Sequence, residues 1–558
     1  MRNWFAMVIA LAGAALLAVL ATTPPRAAPS DAPAREFSAG RAMRDVRAIA
    51  RAPHPTGSAE NARVRAYLTR RLQALGMEVR PLRSTLSASG RRKLDRWRGR
   101  PAPAPAVVSL VATMRGRDRR LPAVLLMAHF DSVWGSPGAA DDASGVAAAL
   151  EVARAVRTAG PPRRDLMLLL TDGEELGLEG ARAFFSADPA RTRVGSVINL
   201  ESRGGGGRAA MFETGRGNGE GMRLFARAVG GPVATSLSAF IYERLPNSTD
   251  FTPAKKGGWQ GWNFAFIGRA GYYHSPLSTP AIVDTGAVQD MGGQVLDLTR
   301  ALLAAPTLPR AAPDRTFFDA YGLFLVGYPA ALGWLWLAIG IAGYAVAARR
   351  DLAAVPRGAG AMVALVVLAA AALTLLNLLS GADGPVNYYD RLAAVPRLQA
   401  QALVACGAAL ACVAAFVLRR PATPGIVAGA ALPLALLGLL AQAAAPTASY
   451  PLAIPLMLGG LAAGAGWRWL SPAVAALVVG YVLGFGFFLM QAVGPTTPQA
   501  ALLPLAIAAS ALLPLAGPVR RRIALTLAAM LLVAAAGVAL SVRLDAMAPS
   551  VAVYSNDK

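Results

Sequence analysis

Two patterns of apolar residues divide this chain. Between residues 36 and 315 the apolar runs are short and set apart by stretches of mixed polarity. They cover 107–112, 123–128, 166–170, 197–200 and 264–267. Short unbroken apolar runs are what strands covered on both faces show. Residues 143–157 place Val146, Leu150, Ala153 and Val156 at helical spacing, which predicts a helix packed on those strands. Strands separated by helical stretches predict an α/β domain, with a mixed, mostly parallel sheet flanked by helices.

The pattern changes after residue 315. From Tyr321 to Arg543 the chain is a succession of long runs of Ala, Leu, Gly and Val, each near the length that spans a bilayer. Eight spans are expected, at 321–346, 360–380, 399–418, 424–444, 450–466, 472–493, 498–517 and 523–542. The expected domains are therefore an N-terminal segment 1–35, an α/β domain 36–315 and an all-α polytopic transmembrane domain 316–558. The apolar stretch 4–21 is read as a ninth, anchoring span. A cleaved signal peptide is the alternative, since Ala-Val-Leu-Ala at 18–21 resembles a cleavage site. Pro-rich segments at 24–33 and 101–105 read as a linker and a loop.

Charge sets the expected orientation. If the first span exports the α/β domain, the inner loops carry Arg349, Arg350, Arg357, Arg419, Arg420, Arg468, Arg520, Arg521 and Arg522. The short outer loops carry Arg391 and Arg397. This asymmetry follows the positive-inside rule and puts the α/β domain and the C-terminus outside the cytoplasm. Part of the net charge of +23 is thus topological. The cluster Arg91, Arg92, Lys93, Arg96, Arg98 and Arg100, with Arg115, Arg117, Arg119 and Arg120 after it, reads as a solvated loop and hairpin beside a strand, with contact to anionic lipid head groups as the sharper alternative. No basic motif interleaved with aromatic residues suggests nucleic acid. Both cysteines, Cys406 and Cys412, lie in one expected span, so the α/β domain has no disulfide and no thiol nucleophile.

The candidate chemistry lies where the short strands end. The chain has three histidines, and two of them stand among carboxylates. His129 and Asp131 follow the run 123–128, with Asp141-Asp142 after them. Glu174-Glu175 follows 166–170, Glu201 follows 197–200, and His274 lies in Tyr-Tyr-His-Ser. In open α/β sheets the carboxyl ends of the strands form the binding edge. Imidazole and carboxylate groups delivered there by separate strands point to a metal site. Each element alone has a plainer reading: an acidic pair as a solvated helix start, a lone histidine as a core or loop residue. His54, before a proline, is read as structural. The run Gly204–Gly207 is read as a mobile loop and does not form a phosphate motif.

From His-Pro-Thr-Gly-Ser at 54–58 to His-Ser-Pro-Leu-Ser-Thr-Pro at 274–280, these motifs resemble, in order and approximate spacing, those of the aminopeptidase Y-type (M28) zinc metallopeptidases. The added spans are similar to a membrane-bound branch of that family, the endoplasmic reticulum metallopeptidases and vacuolar membrane proteases. The resemblance implies the zinc exopeptidase fold and two Zn2+ ions. His129, Asp141 and Glu201 would hold one ion. Asp141, Glu175 and His274 would hold the other, with Asp141 bridging. Glu174 would be the general base, and Asp131 would hydrogen-bond the ring of His129. Asp250 matches an aspartate near the substrate pocket. Tyr242 and Tyr273 are candidates for stabilising a tetrahedral intermediate, against a packing role for each.

The expected function is hydrolysis of N-terminal peptide bonds by a multi-pass protein, with peptide substrate and lipid bilayer as partners. The Ala- and Arg-rich composition suggests a bacterial inner membrane with a periplasmic head. The alternatives are glutaminyl cyclase-like or carboxypeptidase chemistry on the same fold, with Arg203 and Arg269 available to a carboxylate, and a non-enzymatic receptor-like or transport protein.

Overall fold

The computed structural model describes residues 2–384, 388–466 and 470–544. Arg468 and the C-terminal residues 545–558, used above to set orientation, lie outside the described residues. The chain forms two compact units. The first, here called the head, comprises Thr23–Gly327 together with the helix Tyr388–Ala393. The second, the membrane unit, holds Met1–Thr22 and the remaining apolar helices.

Nine strands are present among the described residues: β1 (Glu78–Thr85), β2 (Ala106–Met114), β3 (Ala123–His129), β4 (Leu166–Thr171), β5 (Val194–Ser202), β6 (Gly206–Thr214), β7 (Gly261–Gly268), β8 (Arg315–Ala320) and β9 (Phe324–Pro329). The first seven form one sheet in the order β1-β2-β4-β3-β5-β7-β6. Its four central strands β4, β3, β5 and β7 are parallel, and the outer pairs β1-β2, β2-β4 and β7-β6 are antiparallel. This is the expected mixed, mostly parallel sheet.

The unbroken apolar runs have a direct cause. Val124, Leu126 and Ala128 of β3, with Leu166, Leu168 and Leu170 of β4, enter a core that also contains Val46, Leu68, Val146, Leu150 and Val295. These five come from helices Ala39–Ile49, Ala59–Ala74, Ala143–Thr158 and Thr285–Ala304. The alternate residues, Leu125 and Met127 of β3 and Met167 and Leu169 of β4, enter the core on the other face, with Ala181, Phe184, Phe251 and Ala254. Side chains alternate along a strand, but both faces are covered, so no polar position interrupts the run.

Three expectations are corrected. Residues 88–98 form a helix capped by Ser87, with Leu94 and Trp97 buried, so the basic residues from Arg91 to Arg98 lie on a helix instead of a loop and hairpin. The glycines 204–207 are a tight turn into β6: Arg203 N donates to Phe266 O at 3.0 Å and Gly205 N to Arg269 O at 3.3 Å, so β7 holds the run. The first expected span, 321–346, is shorter. Tyr321 (φ 56) and Gly322 (φ 71) turn the chain, Phe324–Pro329 pairs with β8, and the helix begins at Leu332. An apolar run reads alike as strand or helix until its partner is known.

Among the described residues of the membrane unit, seven helices are long and apolar enough to cross a bilayer: Trp4–Thr22, Leu352–Ala382, Val395–Val417, Pro424–Ala444, Leu470–Ala492, Pro498–Leu515 and Arg521–Leu544. Leu332–Ala348 and Tyr450–Ala465 are shorter apolar helices. Together they account for the nine expected runs, and the chain is a multi-pass membrane protein. Close backbone approach packs them: a Cβ at Gly343 would overlap the Gly460 carbonyl, and one at Gly460 would overlap that of Gly340. Small residues of this kind let membrane helices meet at van der Waals distance. Helix Arg2–Thr22 packs on Leu470–Ala492, where Gly480 faces Ala14 and Leu17.

Candidate metal centre

The parallel strands bring the candidate residues to one edge. His129 is the last residue of β3 and pairs with Thr171, the last of β4. Met127 pairs with Asn199 on β5, so Glu201, two residues on, falls on the same face beside His129. After β3 the chain runs through a loop to the Asp141-Asp142 pair and enters the helix Ala143–Thr158. Asp142 is the N-cap of that helix, its carboxylate accepting from Gly145 N at 3.0 Å. Capping satisfies an amide that the helix start leaves open, and it commits Asp142. Asp141 is left to face the centre. Glu174 and Glu175 lie in the turn after β4, ahead of the helix that starts at Glu179. His274 comes from the loop after β7.

These side chains converge. His129 Nε2 lies 3.1 Å from Asp141 Oδ1 and 3.7 Å from Glu201 Oε2. His274 Nε2 lies 2.9 Å from Asp141 Oδ2 and 3.0 Å from Glu175 Oε1. Among the described residues, three groups each bring their donor atoms within 4.8 Å of one another: His129, Asp141 and Glu201; Asp141, Glu175 and His274; and His129, Glu174 and Glu175. The two oxygens of Asp141 thus face different histidines.

The donor set fits divalent metal ions. Both ring Nδ1 atoms are occupied, His129 against the Asp131 carbonyl at 3.0 Å and His274 against the Tyr389 hydroxyl at 3.1 Å. The Nε2 lone pairs are thereby turned to the carboxylates, the tautomer in which imidazole binds metal. Asp141, Glu175 and Glu201 are buried beside only two imidazoles. Such an excess of buried negative charge requires protons or cations to offset it.

The proton affinities show this frustration. Burial, then repulsion from Asp142, Asp141 and Asp250, raises Glu201 well above the ordinary range, with His129 opposing. Burial likewise raises Glu174, reinforced by Glu201, Glu175 and Asp250 and opposed by His129. Burial also opposes ionisation of Asp141, but His129 and His274 outweigh it and its affinity falls. Burial opposes charging of His129, yet Asp131 and Asp141 raise it.

The remaining candidates are placed as follows. The Asp131 carboxylate accepts from the amides of Glu174 at 3.1 Å and Glu175 at 3.3 Å, and stands 3.6 Å from His129 Nδ1. It therefore holds the acidic turn, and the main-chain carbonyl makes the shorter contact with the ring. Asp250 is buried and accepts from the Thr171 hydroxyl at the end of β4. Burial pushes it up to about 6. The Tyr242 ring packs edge-on against Phe212, and its hydroxyl is raised by burial and by the charges of Glu213, Glu201 and Glu174. Tyr273 stacks on His274 with ring centres 3.7 Å apart. His54 is buried and structural: its amide donates to Ser132 Oγ at 3.0 Å and its carbonyl accepts from Asn61 at 3.3 Å.

Sequence reasoning missed three residues. Asn199 donates to Glu201 Oε1 at 3.3 Å, and its i, i+2 spacing on one strand was a readable signal. Asp172 accepts from Thr56 Oγ1 at 2.9 Å, Asn61 Nδ2 at 3.1 Å and Val108 N at 3.0 Å, tying the His-Pro-Thr-Gly-Ser segment under the centre. Tyr389 lies 115 residues after His274 among apolar runs and carried no signal.

Residues 109–299 match the model of peptidase family M28. Human endoplasmic reticulum metallopeptidase 1 is 29% identical over 294 residues, which is 50% of this chain and 32% of that protein. The vacuolar membrane protease of Candida dubliniensis is 35% identical over 239 residues, 41% of this chain and 24% of that protein. The chain spans a third or less of the length of these relatives. Among solved structures, a zinc aminopeptidase from Bacillus subtilis covers 50% of this chain and 98% of its own, at TM-score 0.39 and 15% identity. A glutaminyl cyclase from Porphyromonas gingivalis covers 47% and 98%, at TM-score 0.37 and 18% identity. The matched residues 109–299 include His129, Asp141, Glu175, Glu201 and His274, so the candidate metal centre lies within a peptidase M28 domain.

Proposed function

We propose that the protein is a membrane-bound two-zinc metallopeptidase that removes residues from the N-terminus of peptides. The observation that carries this reading is the position of Asp141, with one carboxylate oxygen facing His129 and the other His274. A carboxylate that offers one oxygen to each of two ligand groups would suit a two-metal hydrolytic centre. His129, Asp141 and Glu201 would hold one ion, and Asp141, Glu175 and His274 the other. Bound zinc supplies Lewis acidity toward a peptide carbonyl and lowers the pKa of water. Glu174 takes the proton of the attacking water and returns it to the leaving amine. Its raised proton affinity suits a group that both accepts and gives back a proton. Asp131 keeps it in reach by holding its amide.

The preference for a free amine rests on charge. Glu201 and Asp250 are buried in an acidic neighbourhood, and Asp250 Oδ1 has no hydrogen-bond partner among the described residues. That surrounding favours an ammonium over a neutral amide. The carboxypeptidase alternative needs an arginine for the terminal carboxylate. Arg203 donates instead to the Tyr388 hydroxyl, while Arg269 donates to Ile282 O at 3.1 Å and lies 3.7 Å from Asp284. The distribution of arginines between helices supports a head outside the cytoplasm. Together with composition, it supports a bacterial inner membrane with the head in the periplasm.

Four outcomes test this reading. The full-length protein should bind two zinc ions, and chelation should lower its melting temperature, because an ion that binds only the native state at 100 times its Kd adds about 2.7 kcal/mol. One ion per chain with no effect of a second would contradict it. Glu174→Gln should keep both ions and lose at least about 10²-fold in turnover; a mutant that loses its zinc makes Glu174 a ligand. A peptide with a free N-terminus should be shortened one residue at a time, and its acetylated form should resist. Release of C-terminal residues from the acetylated peptide, or cyclisation of an N-terminal glutamine, would replace the aminopeptidase reading. Reporter fusions at position 60 should signal outside and at 520 cytoplasm; both on one side would break the proposed topology.

A further inference from the structure

The helix Tyr388–Ala393 stands in sequence between the apolar helices Leu352–Ala382 and Val395–Val417, yet it groups with the head. It docks on the loop that carries His274. Gly271 lies against it so closely that a Cβ there would come within 2.8 Å of Ala393 Cα. Arg203, two residues beyond Glu201, donates to the Tyr388 hydroxyl and sets its guanidinium 5.6 Å from the ring centre. Tyr389, 5% exposed, places its hydroxyl 3.1 Å from His274 Nδ1, with its ring 5.5 Å from the imidazole and 6.0 Å from Tyr273.

We infer that Tyr389 is a positioning residue for His274, so that one half of the metal centre is completed by a segment lying between two membrane-spanning helices. The inference rests on the two-ion reading above. His274 Nδ1–H donates to the Tyr389 oxygen, which fixes the tautomer and turns Nε2 toward Asp141 and Glu175. His129 needs no such help, because its Nδ1 is met by the carbonyl of Asp131, two residues along its own chain. At His274 the Nδ1 is met instead by a hydroxyl of the docked helix, with Tyr273 of its own loop stacked on the ring. The His274 φ of 53 is in the left-handed region, which a histidine keeps only where its surroundings impose it. The stacked Tyr273, the hydroxyl of Tyr389 and the contact of Gly271 with Ala393 are those surroundings. The ion shared by Asp141, Glu175 and His274 therefore depends on the docked helix, and the ion at His129 does not.

The test uses the full-length chain in detergent, with zinc affinity read by competition against a chromophoric chelator and ligand geometry by the visible spectrum of the Co2+ form. Tyr389→Phe keeps the ring and removes the hydrogen-bond acceptor. It should weaken one of two bound equivalents by about 10–100-fold, shift the Co2+ absorption and leave the other equivalent and the melting temperature of the metal-free protein unchanged. Gly271→Ala, which pushes on Ala393 from the opposite side, should weaken the same equivalent and decides the matter if Tyr389→Phe does not fold. Two equivalents bound as tightly as in the wild type, with the same Co2+ spectrum, would overturn the inference and leave the two-ion reading standing. Equal weakening of both equivalents with a lower metal-free melting temperature would reduce Tyr389 to a packing residue. A wild-type chain that holds fewer than two ions would overturn both readings.

Discussion

The constraint on which the head depends is the burial of several carboxylates around two imidazoles. Asp141, Glu175 and Glu201 are buried, and the part-buried Glu174 lies within the same cluster. Taking ionised carboxylates out of water costs several kcal/mol each unless charge and hydrogen bonds offset it. Nearby structure is arranged to meet that cost. Asn199 donates to Glu201, the amides of residues 174 and 175 donate to Asp131, and Asp172 is saturated by Thr56, Asn61 and Val108. What the protein's own donors leave over is a concentration of negative charge at the Nε2 atoms. A cation is the natural complement there.

The sheet makes that concentration possible. Parallel strands end at one edge, so β3, β4 and β5 each deliver a polar group to the same place while their apolar residues fill two cores. The same geometry separates roles within adjacent residues. Asp142 caps the helix Ala143–Thr158 and Asp141 faces the histidines. In the acidic turn, both amides are held by one carboxylate, so the side chains of Glu174 and Glu175 are free to diverge. Positions one residue apart thus acquire different chemistry from the backbone alone.

The two histidines are secured in different ways. His129 ends a central strand and is oriented by a carbonyl two residues away. His274 sits on a loop, in a left-handed conformation, against a helix from a distant part of the chain. This asymmetry rests one of the two histidines on residues far along the chain. It also makes the loop after β7 the less self-sufficient side of the proposed centre.

Much was legible in the sequence because it follows from local rules. Strands buried on both faces must be unbroken apolar runs, helices that cross a bilayer must be long ones, and metal ligands come from few residue types. These rules located the central strands β3, β4, β5 and β7, the apolar helices and the residues that meet at the sheet edge. The flanking strand β1 was not legible, since its residues alternate in exposure and include Pro81. Strand β9 was absorbed into a neighbouring apolar run. Tertiary structure alone decided which oxygen meets which nitrogen: that the Asp131 carboxylate serves the turn at 174–175, that Arg203 is committed to Tyr388, and that Tyr389 closes on His274. Those pairings join residues far apart in the chain, and a hydrogen bond between such partners has no periodicity to betray it. Local pattern determined what kinds of groups arrive at the site; only the folded chain decided how each of them is held.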